Sequence, residues 1–117
     1  MNTTVRFAAV MLGMSLVAGC STMTEGEFNN MHATLQGSPA VKRSVIKECV
    51  VSERATPAGK KKTYSAFMNV SPDRYEAAMC NRLVNALADG RITYVDYQKL
   101  SSPTADSSKV IKIMQGR

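Results

Sequence analysis

Apolar residues recur at helical spacing through most of the chain after residue 37. The clearest stripe lies between Pro72 and Ala88, where apolar side chains fall every three or four positions, as on one face of a helix. Its members are Tyr75, Met79, Cys80, Leu83, Val84 and Leu87. The pair Ser71-Pro72 is typical of a helix start, and Gly90 of the residue just past a helix end. The pattern therefore predicts a helix over about residues 72–88.

Capping signals predict three further helices. In each, a Ser, Thr or Asp side chain can accept hydrogen bonds from the free backbone N–H groups of the first turn. The helix after Ser38 has the apolar residues Val41, Val45 and Cys49. The helix after Thr93 has Tyr94, Tyr97 and Leu100, and the helix after Asp106 has Val110, Ile113 and Met114. The first is expected to reach about residue 53 with Cys49 on its inner face. For the last, a short strand over residues 110–113 is the alternative.

Residues 60–70 have a mixed pattern. The run Thr56-Pro57-Ala58-Gly59 is expected to break the preceding helix, and the basic cluster Lys60, Lys61 and Lys62 that follows is predicted to lie in a loop. Beyond it, the spacing of Tyr64, Phe67 and Met68 favours a short helix, while alternating apolar residues leave a strand open for residues 63–70.

Residues 20–37 are mostly polar and are predicted to form a flexible tether, since such a segment buries too little apolar surface to offset its ordering entropy. A short helix remains open here, because Phe28, Met31 and Leu35 have helical spacing. His32, the chain's only histidine, is expected to be solvated. The predicted fold is thus all-α: a tether, then a small bundle of four to five short helices over residues 38–117.

The chain of 117 residues is 44% apolar and 21% charged, which is ordinary globular usage and excludes wholesale disorder and a multi-span membrane protein. Its first residues differ from the rest. Arg6 precedes thirteen uncharged residues, 7–19, whose helix would rise only about 20 Å against a hydrocarbon core of about 30 Å. This length indicates a signal peptide rather than a spanning helix.

The run Leu16-Val17-Ala18-Gly19-Cys20 resembles the lipobox of bacterial lipoproteins. The resemblance implies that residues 1–19 are removed, that Cys20 carries diacylglycerol, and that residues 20–37 are a lipidated tether. In such lipoproteins, Asp at the position after the cysteine implies retention in the inner membrane. Ser21 at this position therefore implies a lipid-anchored protein of the outer membrane, with its domain facing the periplasm. An ordinary secretory signal and an uncleaved anchor are the alternatives.

Once Cys20 carries lipid, two cysteines remain, Cys49 and Cys80, in an oxidising compartment. A redox pair would be expected as C-x-x-C. A structural zinc site needs four nitrogen or sulfur ligands, and the two cysteines together with the chain's one histidine are too few. The cysteine pattern therefore favours a structural disulfide over two buried thiols. Closing its loop of 31 residues would stabilise the domain by about 3–4 kcal/mol.

No catalytic or metal-binding pattern stands out. Residues 89–97 resemble the second half of an EF-hand loop, but Leu87 stands where a calcium ligand is needed, so neither metal nor cofactor is predicted. Residues 80–97 are also similar to small uncharacterised exported proteins of alphaproteobacteria, which implies no activity. The sequence gives no sign of an enzyme, a small-molecule substrate or a nucleic-acid partner.

Two hypotheses of function follow. The first is a structural or protein-interaction module that is anchored to the membrane through Cys20 and docks on another envelope protein. The second is a binder of anionic envelope material, peptidoglycan or lipid headgroups, through Lys60, Lys61 and Lys62, since fourteen Lys and Arg outnumber nine Asp and Glu after residue 19.

Overall fold

Two of the three predicted capping residues, Ser38 and Thr93, cap helices in the computed structural model, which describes residues 22–117. The helix after Asp106 instead begins after Ser107, which makes no side-chain cap hydrogen bond. Ser38 Oγ accepts a hydrogen bond from the Val41 N–H at 3.2 Å, and Thr93 Oγ1 accepts one from the Asp96 N–H at 3.3 Å. The elements are α1 (Glu25–Gly37), α2 (Pro39–Glu53), α3 (Ala58–Phe67), a 3-10 turn (Pro72–Arg74), α4 (Tyr75–Ala88), α5 (Tyr94–Leu100) and α6 (Ser108–Met114). The described residues contain no strand, which confirms the predicted all-α fold.

Helix α1 lies inside the segment assigned to the tether. Thr24 and Glu27 form a capping box, and Phe28 and Leu35 are each only 4% exposed. Because these apolar side chains turn toward α4 and α5, the segment has a core contact despite its polar composition. The predicted boundary between tether and domain at residue 37 was therefore wrong, and the packed domain begins near Thr24. Cys20 and the signal peptide lie outside the described residues.

Helix α4 is the centre of the domain, with α1, α2 and α6 packed against it. On one side a buried cluster joins α4 to α1, and on the other a second cluster joins it to α6 and to the turn that carries Ile92. The buried members are Leu35, Val84 and Ala88 in the first cluster and Ala86, Ile92, Val110 and Ile113 in the second. The predicted stripe supplies Val84 together with the partly buried Leu83 and Leu87, and Ala86 and Ala88, which were not part of the predicted stripe, are buried as well.

Helix α2 packs against α4 and is joined to it by a disulfide and a hydrogen bond. Cys49 and Cys80 form the predicted disulfide, with their Cα atoms 5.8 Å apart, and Tyr75 Oη donates a hydrogen bond to Glu53 Oε2 at 3.0 Å. No residue of α2 is fully buried. Val41 and Val45, expected on the inner face, are 39% and 37% exposed.

The inner face of α2 is instead marked by Ile46, which packs against the Leu35–Val84 cluster. Successive helical residues point about 100° apart, so the helix face that contains Val45 is rotated by that angle from the face that contains Ile46. Both residues are β-branched and apolar, and spacing alone could not choose between them.

The two segments for which the sequence allowed either a helix or a strand both form helices. Residues 58–67 are α3, in which Ser65 is buried, and residues 108–114 are α6, so the strand alternatives for residues 63–70 and 110–113 were wrong. Within residues 22–117, no helix has both the length and the apolar character that a bilayer crossing requires.

Candidate functional site

The basic cluster Lys60–Lys62 does not form a shared surface. These residues lie in α3 rather than in the predicted loop, so their side chains leave the helix in directions about 100° apart. Lys61 turns inward, where it forms an ion pair with Glu76 and donates a hydrogen bond to the Arg54 carbonyl at 3.4 Å. Lys60 and Lys62 are exposed. The cluster therefore offers separate charges rather than a converging site.

A different set of cations does converge. An open groove of about 390 Å³ runs between the turn after α4 and helix α6, and we call it the basic groove. Four of its seven lining residues are cationic, none is acidic, and the rest are small or apolar; they are Gly90, Arg91, Ser108, Lys109, Lys112, Ile113 and Arg117. Like charges therefore converge in this groove, as they do not at Lys60–Lys62.

Local structure sets both walls of the basic groove. Gly90 adopts φ of +73°, the left-handed conformation that ends α4 and turns the chain toward Arg91. On the other wall, Lys109 and Lys112 are three residues apart in α6, so their side chains share a face. Arg91 Nη2 donates a hydrogen bond to the main-chain oxygen of Arg117 at 2.8 Å, which joins two of the lining residues.

One of the groove's cations also stabilises the fold. Lys109 Nζ lies 2.7 Å from Asp96 Oδ2, and Asp96 is only 6% exposed because it also caps α5. The hydrogen bond from Lys109, followed by the one from the Thr93 backbone, lowers the pKa of Asp96 to about 2. Asp96 is thus ionised in the folded domain, and it orients the Lys109 side chain at the edge of the groove.

The depressed pKa of Asp96 predicts a loss of stability in acid. A carboxylate whose pKa is lower in the folded than in the unfolded state stabilises the fold above its unfolded pKa, and this contribution disappears as pH falls through the folded value. We expect Asp96 to contribute roughly 1–2 kcal/mol to the free energy of unfolding at pH 5 and nothing below pH 2. The value at pH 5 is modest because Lys109 is half-exposed and its charge is partly screened by solvent.

Urea unfolding between pH 5 and pH 2 measures this contribution. Asp96→Asn should flatten the pH dependence in that window, and Lys109→Met should reduce it because the largest cause of the shift is gone. If Asp96→Asn kept the full acid slope of the natural chain, the ion pair would not be the source.

The start of α1 adjoins the basic groove, because Gly90 lines both the groove and a second cavity with Glu25 and Phe28. The Met23 N–H donates a hydrogen bond to Tyr97 Oη at 2.9 Å, and the Tyr97 ring lies against Phe28 at a centroid distance of 5.9 Å. Tyr97 directly follows Asp96 in α5, so one helix holds both the incoming chain and the cation Lys109. Val95 and Leu100 of the same helix are 57% and 52% exposed.

His32 has a structural role rather than the solvated position expected for a tether. Its Nδ1 lies 2.7 Å from the Leu87 carbonyl, one of the last acceptors of α4, so that the ring joins α1 to the end of α4. Its Cε1 would lie 3.5 Å from a Cβ placed on Gly90. The imidazole thus packs over the turn that opens the basic groove.

Metal binding finds no support in residues 22–117, where no three His, Cys, Asp or Glu side chains are grouped to hold an ion. In the EF-hand-like stretch, Asp96 is already used by the α5 cap and by Lys109.

Comparison of the chain with protein-family models, with curated proteins and with solved structures finds no match.

Proposed function

We propose that the protein is a lipid-anchored component of the bacterial envelope whose helical domain is a non-catalytic structural and interaction module. The lipobox-like run ending at Cys20 supports the anchor. The observation that carries the proposal is the hydrogen bond between Met23 and Tyr97, because it places the first fixed point of the domain three residues after the proposed lipidation site.

A short connection keeps the domain at the bilayer surface. Three residues span at most about 11 Å when extended, so the Tyr97 end of the domain lies close to the acylated Cys20. Two or three acyl chains provide lasting attachment, which one chain does not. In this arrangement α5, with its exposed Val95 and Leu100, is nearest the lipid. The domain faces the periplasm, and Ser21 favours the outer membrane.

The contacts of the polar side chains support binding over catalysis. The chain's only histidine, His32, caps the end of α4, and the most buried carboxylate, Asp96, caps α5 and pairs with Lys109. Groups in these positions stabilise the fold and are not free for acid–base or nucleophilic chemistry.

Metabolic labelling with a palmitate analogue tests the anchor. We expect the natural chain to incorporate the label, and Cys20→Ala to lose it completely and to accumulate as a precursor longer by residues 1–19, because only the thiol can form the thioether. Ser21→Ala, one position later, is the matched control and should keep the label. Ser21→Asp should keep the label but move the protein to the inner membrane.

Two results would contradict the anchor. They are an unlabelled natural chain and equal labelling of Cys20→Ala.

A further inference from the structure

We infer that the basic groove binds the phosphate headgroup of an anionic phospholipid in the bilayer that holds the anchor. The inference rests on the proposed lipid anchoring for the source of the ligand, and on the geometry of the groove for its chemistry. It moves the interaction with anionic envelope material from Lys60–Lys62, where the sequence placed it, to Arg91, Lys109, Lys112 and Arg117.

The groove has the charge of an anion site. Arg91, Lys109, Lys112 and Arg117 line one cavity. Among residues 22–117, Asp96 is the only side-chain carboxylate bonded to any of them, through Lys109, and Arg91 is also bonded to the main-chain oxygen of Arg117. The remaining cations have no acidic side chain bonded to them among residues 22–117. Arginine guanidinium groups suit phosphate oxygens because they donate in a planar fork, while lysines contribute point charges.

The volume of the groove matches a headgroup rather than a polymer. At about 390 Å³ it lies at the lower end of the range for small-molecule sites. Ile113 and the aliphatic stems of Lys109 and Lys112 give it an apolar side, on which glycerol carbons can lie while the cations hold the phosphate. A wall polymer would need a longer cleft with contacts spread along it.

The position of the groove favours membrane lipid as the source. Tyr97 holds the chain three residues after Cys20, and its neighbour Asp96 holds Lys109 at the edge of the groove. Gly90 lines the groove and also lines a second cavity with Glu25 and Phe28 of α1, so the start of α1 adjoins the groove. The exposed apolar residue Val95 of α5 lines this second cavity too. The anchor therefore presents the groove to headgroups continuously.

Titration of the purified lipidated chain in uncharged maltoside micelles tests the assignment. The probes are dihexanoyl-phosphatidylglycerol, dihexanoyl-phosphatidylcholine and inorganic phosphate, and the readout is the amide chemical shifts of Gly90, Arg91 and residues 109–113. The test variant is Arg91→Gln/Lys112→Gln, which removes one exposed cation from each wall. The matched control is Lys60→Gln/Lys62→Gln, which removes the same charge from α3. Thermal melts check that both variants fold.

We expect saturable shifts with phosphatidylglycerol and none with phosphatidylcholine. Each cation near the surface changes lipid affinity about fivefold, so the groove variant should bind at least tenfold more weakly, while the control changes less than twofold. Added salt should weaken binding steeply.

Three results would overturn the inference: no saturable shift, equal weakening in both variants, or inorganic phosphate binding as tightly as the lipid. The mass of Cys20 in the same sample separates the two proposals. A bare Cys20 refutes the anchor whatever the titration shows, and a failed titration on a lipidated chain refutes only the groove.

Discussion

Replacing Cys49 and Cys80 together by alanine is expected to lower the free energy of unfolding by about 3–4 kcal/mol. The bridge closes a loop of 31 residues, and cross-linking a loop of that length removes this much chain entropy from the unfolded state. A domain of this size has a total stability of only about 5–15 kcal/mol. The loss would therefore be a large share of the whole.

The loss of stability should be greatest in α2, because no residue of that helix is fully buried. Its other contacts with α4 include the packing of Ile46 on the Leu35–Val84 cluster and the hydrogen bond between Glu53 and Tyr75, which lies at the C-terminal end of the helix. Without the disulfide, we expect hydrogen exchange to speed up most in the first half of α2, around Val41 and Val45. The α4–α6 cluster should keep its protection.

Urea unfolding and hydrogen exchange measure both effects. Reduction of the natural chain should reproduce the double variant, and reductant should leave the double variant unchanged, which controls for packing defects at buried Cys80. A loss below 1 kcal/mol, or uniform acceleration of exchange over all helices, would show that the bridge does not hold α2.

Arg82→Met is expected to cost about 3 kcal/mol. Arg82 is half-buried in α4, and its Nη1 donates to the Met68 carbonyl at 2.8 Å and to the Met114 carbonyl at 2.6 Å. It therefore joins the end of α3 to the end of α6 through α4. A hydrogen bond from a charged donor contributes about 1.5–3 kcal/mol, and methionine leaves both carbonyls without this partner.

Gly116 adds to this arrangement, since its φ of +80° brings the backbone after α6 over the guanidinium group. Arg74→Met, an exposed arginine just before α4, is the matched control and should change stability by less than 0.5 kcal/mol. Denaturant midpoints measure both variants. Equal losses in the two would mean that Arg82 contributes only charge.

The fold was largely predictable because its signals are local. Ser38, Thr93 and the Ser71-Pro72 pair mark helix starts within a few residues, and the apolar stripe of α4 identifies the central helix without knowledge of its partners. The disulfide followed from the count of cysteines. Helix α1 was left open because only two of its side chains, Phe28 and Leu35, are buried, which leaves little periodic signal.

The basic groove was not predictable in this way. Arg91 and Arg117 are 26 residues apart and meet only because α6 packs back on α4. The three adjacent lysines 60–62 were the more visible pattern, yet consecutive residues of a helix cannot share a face. The one local signal was the spacing of Lys109 and Lys112, which puts two cations on one side of α6.

Intact mass spectrometry of the protein extracted from membranes tests the anchor most directly. We predict a single species whose mass is that of residues 20–117 with the disulfide formed, plus a diacylglycerol group and one further acyl chain, all of the added mass on the peptide that begins with Cys20. A mature chain with an unmodified Cys20, or one that still carries residues 1–19, would contradict lipid anchoring and remove the membrane as the source of the groove's ligand.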